Sequence, residues 1–171
     1  NADFCRDLIR DFANPSEADT YFTRFRNFDW FVGHSWAAGI LQRDFGRDQE
    51  STSEAAFSYY AVKLFGDATR DDNLTGLGWL LSSMEIRSAQ RYWQMKNPSE
   101  IYPSSFAQLG VVGILYSFWV RHETFFGNNV EFIFGIQVLP ISPMTEALVD
   151  PVWAESVWSR VAPALTRTDP V

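Results

Sequence analysis

The chain has 171 residues, a formal charge of −7 and a pI of about 4.7. Its length suits one domain with a sizeable core, and its acidity argues against nucleic acid, whose phosphates need Lys and Arg to displace counterions. One cysteine, Cys5, excludes an internal disulfide and a cysteine-rich zinc cluster, and two histidines leave little for other metals. No apolar run approaches the roughly 18 residues of a membrane span, so no membrane partner is expected. No signal peptide is visible and the first residue is Asn, so the chain is expected to be processed, truncated or cut from a longer protein. Aromatic residues make up 16%, with seven Trp. Such an excess fills either a large core or a groove that stacks the flat faces of sugars.

In chain order, Phe4, Leu8, Ile9 and Phe12 share one face and predict a helix over residues 2–13, with Cys5 a small core residue. Pro15 disfavours helix at Asn14. Residues 21–33 are aromatic without a clean period and read as a long ordered loop. "HSWAAGIL" reads as a short helix. A helix is expected from about Thr52 to Phe65, ended by Gly66. A longer one, about Asn73 to Met95, would bury Leu77, Leu80, Leu81, Met84, Tyr92 and Met95. The β-branched and aromatic run at 110–126 predicts a β-hairpin near residues 111–125, with strands about 111–116 and 119–125. "NNVEFIFGIQVLPISP" reads as a loop with one helical turn. A last helix, about Pro151 to Leu165, would turn Trp153, Val157, Val161 and Leu165 inward. The chain is therefore mainly α, with function expected on the loops.

Glu50 and Glu54 stand where a polar loop enters a helix. Ser51-Thr52-Ser53-Glu54 fits a capping box, with Ser51 as cap and Glu54 reaching back to the Ser51 N–H. The alternative is chemical. Positions four apart lie on one helix face, roughly 5–6 Å apart at their β-carbons. Such carboxylates raise each other's pKa, while the helix N-terminus favours their ionised forms. One could activate water and the other hold it. Spacing permits both readings. Glu85 and Arg87, off the apolar stripe, read as a solvated or ion-paired face. Trp79, Trp93, Trp153 and Trp158 read as core, and Glu123 and Glu131 as loop or strand-end charges.

Four blocks in order carry a resemblance: "FRNFDWFVGHSWAAGI", "RDQESTSEAAFSYY", "EIRSAQRYW" and "GIQVLPISP". Together they resemble glycoside hydrolase family 81, the endo-β-1,3-glucanases. The resemblance implies part of an (α/α)6 barrel, a middle piece of the catalytic domain truncated at both ends of residues 1–171. It implies inverting hydrolysis of β-1,3-glucan, with Glu50 as general base and Glu54 holding the water and the sugar. Asp29, Trp30, His34 and Trp36 match the block that lines the glucan cleft. Asp48 and Gln49 precede the base, and Tyr102 matches a "YP" at the cleft rim. No metal or organic cofactor is implied, because two carboxylates and a shaped cleft suffice.

Three departures accompany the match. The family's acid, an aspartate in a "DHHFHYGY"-like block, has no counterpart before "RDFANPS", so it is expected upstream of Asn1. Asp48 replaces the usual Asn and adds a charge beside the base. Phe134 replaces the usual His near the cleft. The implied partners are a β-1,3-glucan and the remainder of the catalytic domain. A wall glucan implies an extracellular or cell-wall location, with an intracellular one the alternative. The competing readings are a non-catalytic glucan-binding fragment and a plain helical interaction domain.

Overall fold

The computed structural model describes residues 2–39 and 46–166. Helices carry about half of them, and two small sheets the rest of the regular structure. Helix α1, Ala2–Ala13, is the expected amphipathic helix; Ile9 and Ala13 are buried on its inner face and Cys5 is half-buried. The aromatic loop that follows contains β1, Phe28–Asp29, paired antiparallel with β2, His34–Ser35. The expected helix at "HSWAAGIL" is therefore corrected where it is described. His34 and Ser35 pair as strand, and the next two residues donate to the carbonyls of Asn27 and Asp48. Ile40 and Leu41 lie outside the described residues.

β3, Asp48–Gln49, leads into α2, Thr52–Thr69. The helix passes through Gly66 and ends at Arg70, whose φ of 58° is left-handed. Gly66 was expected as a stop, but it serves a close crossing. A β-carbon there would lie 2.4 Å from the Thr75 N of α3, Asp72–Ser88. Gly78 of α3 does the same from the other side, with Lys63 N at 2.2 Å from such a carbon. The two glycines let α2 and α3 pack backbone to backbone.

Asp71 caps α3 by accepting the Leu74 N–H. The helix then widens into a π-helical turn, Ala89–Trp93, closed by Gln94 N–H to the Ala89 carbonyl. The expected stripe is partly displaced: Leu81 is buried, but Leu80 is exposed, and Ser82, Glu85 and Ser88 take inner positions. Glu85 is thus corrected from surface to core.

After the short α4, Ser104–Ala107, the hairpin forms from β4, Ile114–Tyr116, and β5, Val120–Arg121. It is shorter than expected, because Val111 bridges to Gln94 instead. β3 joins its other edge, Asp48 opposite Tyr116 and Gln49 opposite Leu115, in a three-stranded antiparallel sheet.

α5, Val130–Gly135, is the expected helical turn, and α6 covers Thr145–Leu148. α7, Pro151–Leu165, starts at Asp150, which accepts the N–H groups of Val152 and Trp153. Trp153 and Val157 point inward onto Val111, Ile133 and Phe134, whereas Leu165 is exposed. Trp93 and Trp153 are core as expected; Trp79 and Trp158 are exposed. The other main core joins Ile9, Ala13, Phe28, Tyr59, Val62 and Leu81, between α1, β1, α2 and α3. No helix among the described residues is long and apolar enough to cross a membrane.

Candidate active site

Glu50 is the last residue before the cap of α2, and Glu54 lies in its first turn. Both open into one cavity of about 390 Å³, walled by Trp36, Tyr59 and Phe125. Ser51 Oγ accepts the Glu54 N–H at 3.4 Å, so half of the capping box forms. The reciprocal half does not. The Glu54 carboxylate is exposed to the cavity and takes no hydrogen bond among the described residues.

Glu50 is half-buried, and its Oε1 accepts the Phe125 N–H at 2.8 Å. Burial pushes its pKa up, and that bond opposes the rise. The charge of Asp48 adds to it, Arg121 opposes, and Glu54 adds again. Glu50 is therefore a stronger base than an ordinary glutamate, and it lines an aromatic-walled cavity.

The wall is braced from behind. Trp36 Nε1 donates to Asp29 Oδ2 at 3.1 Å. Arg47 pairs with the same oxygen at 2.9 Å and lies over the Trp36 ring. Burial pushes the Asp29 carboxyl up, but the bonds from Trp36 and Phe31 and the Arg47 charge outweigh it and hold the pKa low. His34 is 1% exposed, edge-on to Trp36 and Trp93, with Nδ1 2.8 Å from the Ser35 carbonyl. That carbonyl can only accept, so Nδ1 carries the proton and burial lowers the ring's pKa. Gln49 Nε2 donates to Ser35 Oγ at 2.9 Å and to the Ser35 carbonyl at 3.2 Å.

The sequence-expected residues divide. Trp36, Asp48, Gln49, Glu50 and Glu54 line the first cavity. His34 and Tyr102 line a second, of about 410 Å³, on the other side of Trp36, with Tyr116 and Trp119. Tyr102 donates to the Tyr92 carbonyl, and burial pushes its pKa up to about 12. Asp29 lies behind Trp36. Trp30 lines neither cavity and packs edge-on against Phe25 and Phe28. Phe134, expected near the cleft, instead stacks on Trp153 in the α5–α7 core.

Sequence reasoning missed Phe125, Tyr59, Ser35 and Gln137. Gln137 is fully buried, and its Nε2 donates to the carbonyls of Glu50 and Gly113 while its Oε1 accepts from Thr52. A polar amide inside the apolar "GIQVLP" segment was the available signal. Among the described residues no three His, Cys, Asp or Glu side chains gather so as to hold a metal ion.

The profile of the glycosyl hydrolase family 81 C-terminal domain matches residues 1–169. The chain belongs to glycosyl hydrolase family 81. Similar proteins include the glucan endo-1,3-beta-D-glucosidase of Arthroderma benhamiae, 40% identical over 136 residues, or 80% of this chain. Another is glucan endo-1,3-beta-D-glucosidase 2 of Saccharomyces cerevisiae, 35% identical over 92% of this chain. The chain spans 15% of the length of the first and 20% of the second. Among solved structures, a mutant of the family 81 glycoside hydrolase CtLam81A from Clostridium thermocellum superposes with a TM-score of 0.82 at 29% identity. The match covers 95% of this chain and 23% of that one.

Proposed function

We propose that this chain forms part of an endo-hydrolase of β-1,3-glucan that works with inversion. Glu50 removes a proton from the attacking water, and Glu54 orients that water. A third group, an aspartate supplied from outside these 171 residues, protonates the leaving oxygen. Trp36, with Asp48 and Gln49 beside the base, all of them buried, forms the inner wall against which the glucan lies on one side. Tyr102 extends it past Trp36, with buried His34 packed behind that indole and Asp29 holding it; Trp30, outside both cavities, contacts glucan only where a longer chain reaches beyond them. The helices are read as part of an (α/α)6 barrel completed by the rest of the catalytic domain. The proposed place of action is the cell wall or another extracellular glucan.

One observation carries this reading: two carboxylates face a single aromatic-walled cavity, and the one in the base role has a raised pKa. The relatives' names supply the substrate class. The test is release of reducing ends from laminarin by the catalytic domain that contains this chain. Glu50→Gln is expected to slow it on the order of 10³-fold, the worth of a positioned base. Undiminished turnover in E50Q would leave Glu54 a helix cap and the chain an interaction domain. Laminarin-oligosaccharide binding without reducing ends, in the wild type, would make it a glucan-binding fragment.

A further inference from the structure

A third carboxylate lies behind the cavity and takes no part in the chemistry above. Glu85 is 1% exposed in the middle of α3. Burying a carboxylate without a cation is costly, and among the described residues no cation pairs with it. Its Oε1 accepts the backbone N–H of Ser35 at 2.6 Å, a short bond of the charge-assisted kind. One turn further along α3, buried Ser88 donates to the Gly33 carbonyl at 2.8 Å. The two side chains clamp β2 onto α3 from the same face of the helix.

The clamp reaches the cavity in two steps. Ser35 accepts the Gln49 amide on its hydroxyl and on its carbonyl. Gln49 is joined by a peptide bond to Glu50. A rigid path thus runs from α3 through β2 to the residue that enters the cavity. We propose that Glu85 is a positioning residue that fixes Ser35, through Ser35 the Gln49 amide, and thereby the angle at which Glu50 faces the cavity. The part of this that concerns Glu50 rests on the hydrolase reading; the relay from Glu85 to Gln49 does not. Burial pushes the Glu85 carboxyl up to about 7, and the bonds from Ser35 pull against that rise. Among the described residues, Tyr59 of α2 is the other titratable group facing it, and the Glu85 charge raises that phenol further. Glu85 therefore titrates where its influence on Gln49 can be followed.

The experiment compares wild type, Glu85→Gln and Ser35→Ala. The Gln amide keeps an acceptor for the Ser35 N–H but loses the charge. The Ala variant keeps the backbone bond to Glu85 but removes the hydroxyl, which bonds Gln49 and also reaches Glu85. In wild type, the Ser35 backbone N–H and the Gln49 side-chain amide resonances are expected to share a titration step. That step is expected to vanish from both in E85Q and, in S35A, to shrink more at Gln49, which keeps only its bond to the Ser35 carbonyl, than at the residue 35 N–H. In the catalytic domain acting on laminarin, both variants are expected to lower kcat about tenfold with KM nearly unchanged. Misalignment of the base weakens the transition state more than the bound substrate. A Gln49 amide that ignores both substitutions overturns the proposal, and so does an unchanged kcat. S35A decides alone if E85Q does not fold. A wild type without glucanase activity counts against the hydrolase reading, and the resonances still decide the relay.

Discussion

Burial raises the Glu50 pKa most, and Asp48 adds to that rise with its charge. Asp48 is buried in β3 two residues from Glu50. Asp48→Asn removes the charge while keeping the shape, so the Glu50 pKa is expected to fall. A general base works once deprotonated, so the acid limb of kcat/KM against pH should move to lower pH in D48N; a stationary limb would mean that Asp48 does not reach the base. Glu85 gives a second pH effect, on stability. Its folded pKa, about 7, exceeds its ordinary 4.5, so the folded state binds a proton that the unfolded state has lost. Its contribution is complete below pH 4.5 and lost as pH rises to 7, on the order of 3 kcal/mol across that window. Melting temperature against pH should therefore decline more steeply in wild type than in E85Q between those values, and parallel curves would contradict it. Glu50 and Glu54 were legible because their relation is local, four residues along one helix start. Glu85 was not, because the N–H that accounts for its burial belongs to a strand fifty positions away.

The long helices were legible as elements, since apolar residues recur at helical spacing in α1 and α7, and α2 and α3 have polar caps. The strands were much less so. β1, β2, β3 and β5 have two residues each, too few for an alternation, and they exist because distant partners pair with them. Gly66 misled for a related reason: a glycine that admits a neighbouring helix reads like one that ends its own. The α2–α3 crossing turns this into a paired test. At Gly78 an added β-carbon would meet Lys63 N, Lys63 Cα and the Tyr59 carbonyl within 2.8 Å. These are backbone atoms, which cannot swing aside. Gly78→Ala should cost about 3 kcal/mol, lowering the melting temperature by about 6–12 °C. At Gly76, two residues earlier, nothing lies within 4 Å. Gly76→Ala should raise stability by about 0.8 kcal/mol through helix propensity alone. Equal effects of the two substitutions would mean that the helices do not cross here.

Across the whole molecule, the cavity holds its shape because segments far apart in sequence meet at Gln137. Its amide joins the turn after α5 to the Glu50 and Gly113 carbonyls and to Thr52 at the start of α2. Ser53 seals the same junction by donating to the carbonyls of Ile136 and Leu139. These contacts span more than eighty residues of chain from the β3–α2 corner, which is why periodicity and spacing gave no sign of them. Gln137→Leu keeps nearly the same volume but strips several buried polar groups of their partner. Each such loss costs about 1–3 kcal/mol, so the total should reach about 3 kcal/mol or more. The effect should also be uneven. Amide exchange should accelerate at Thr52 and the first turn of α2, where the cap depends on this junction. It should change far less in the middle of α3, which packs on α2 well away from Gln137. A uniform rise in exchange would indicate global destabilisation and no special tie between Gln137 and the cavity. An unaltered melting temperature would mean that water replaces the amide without loss.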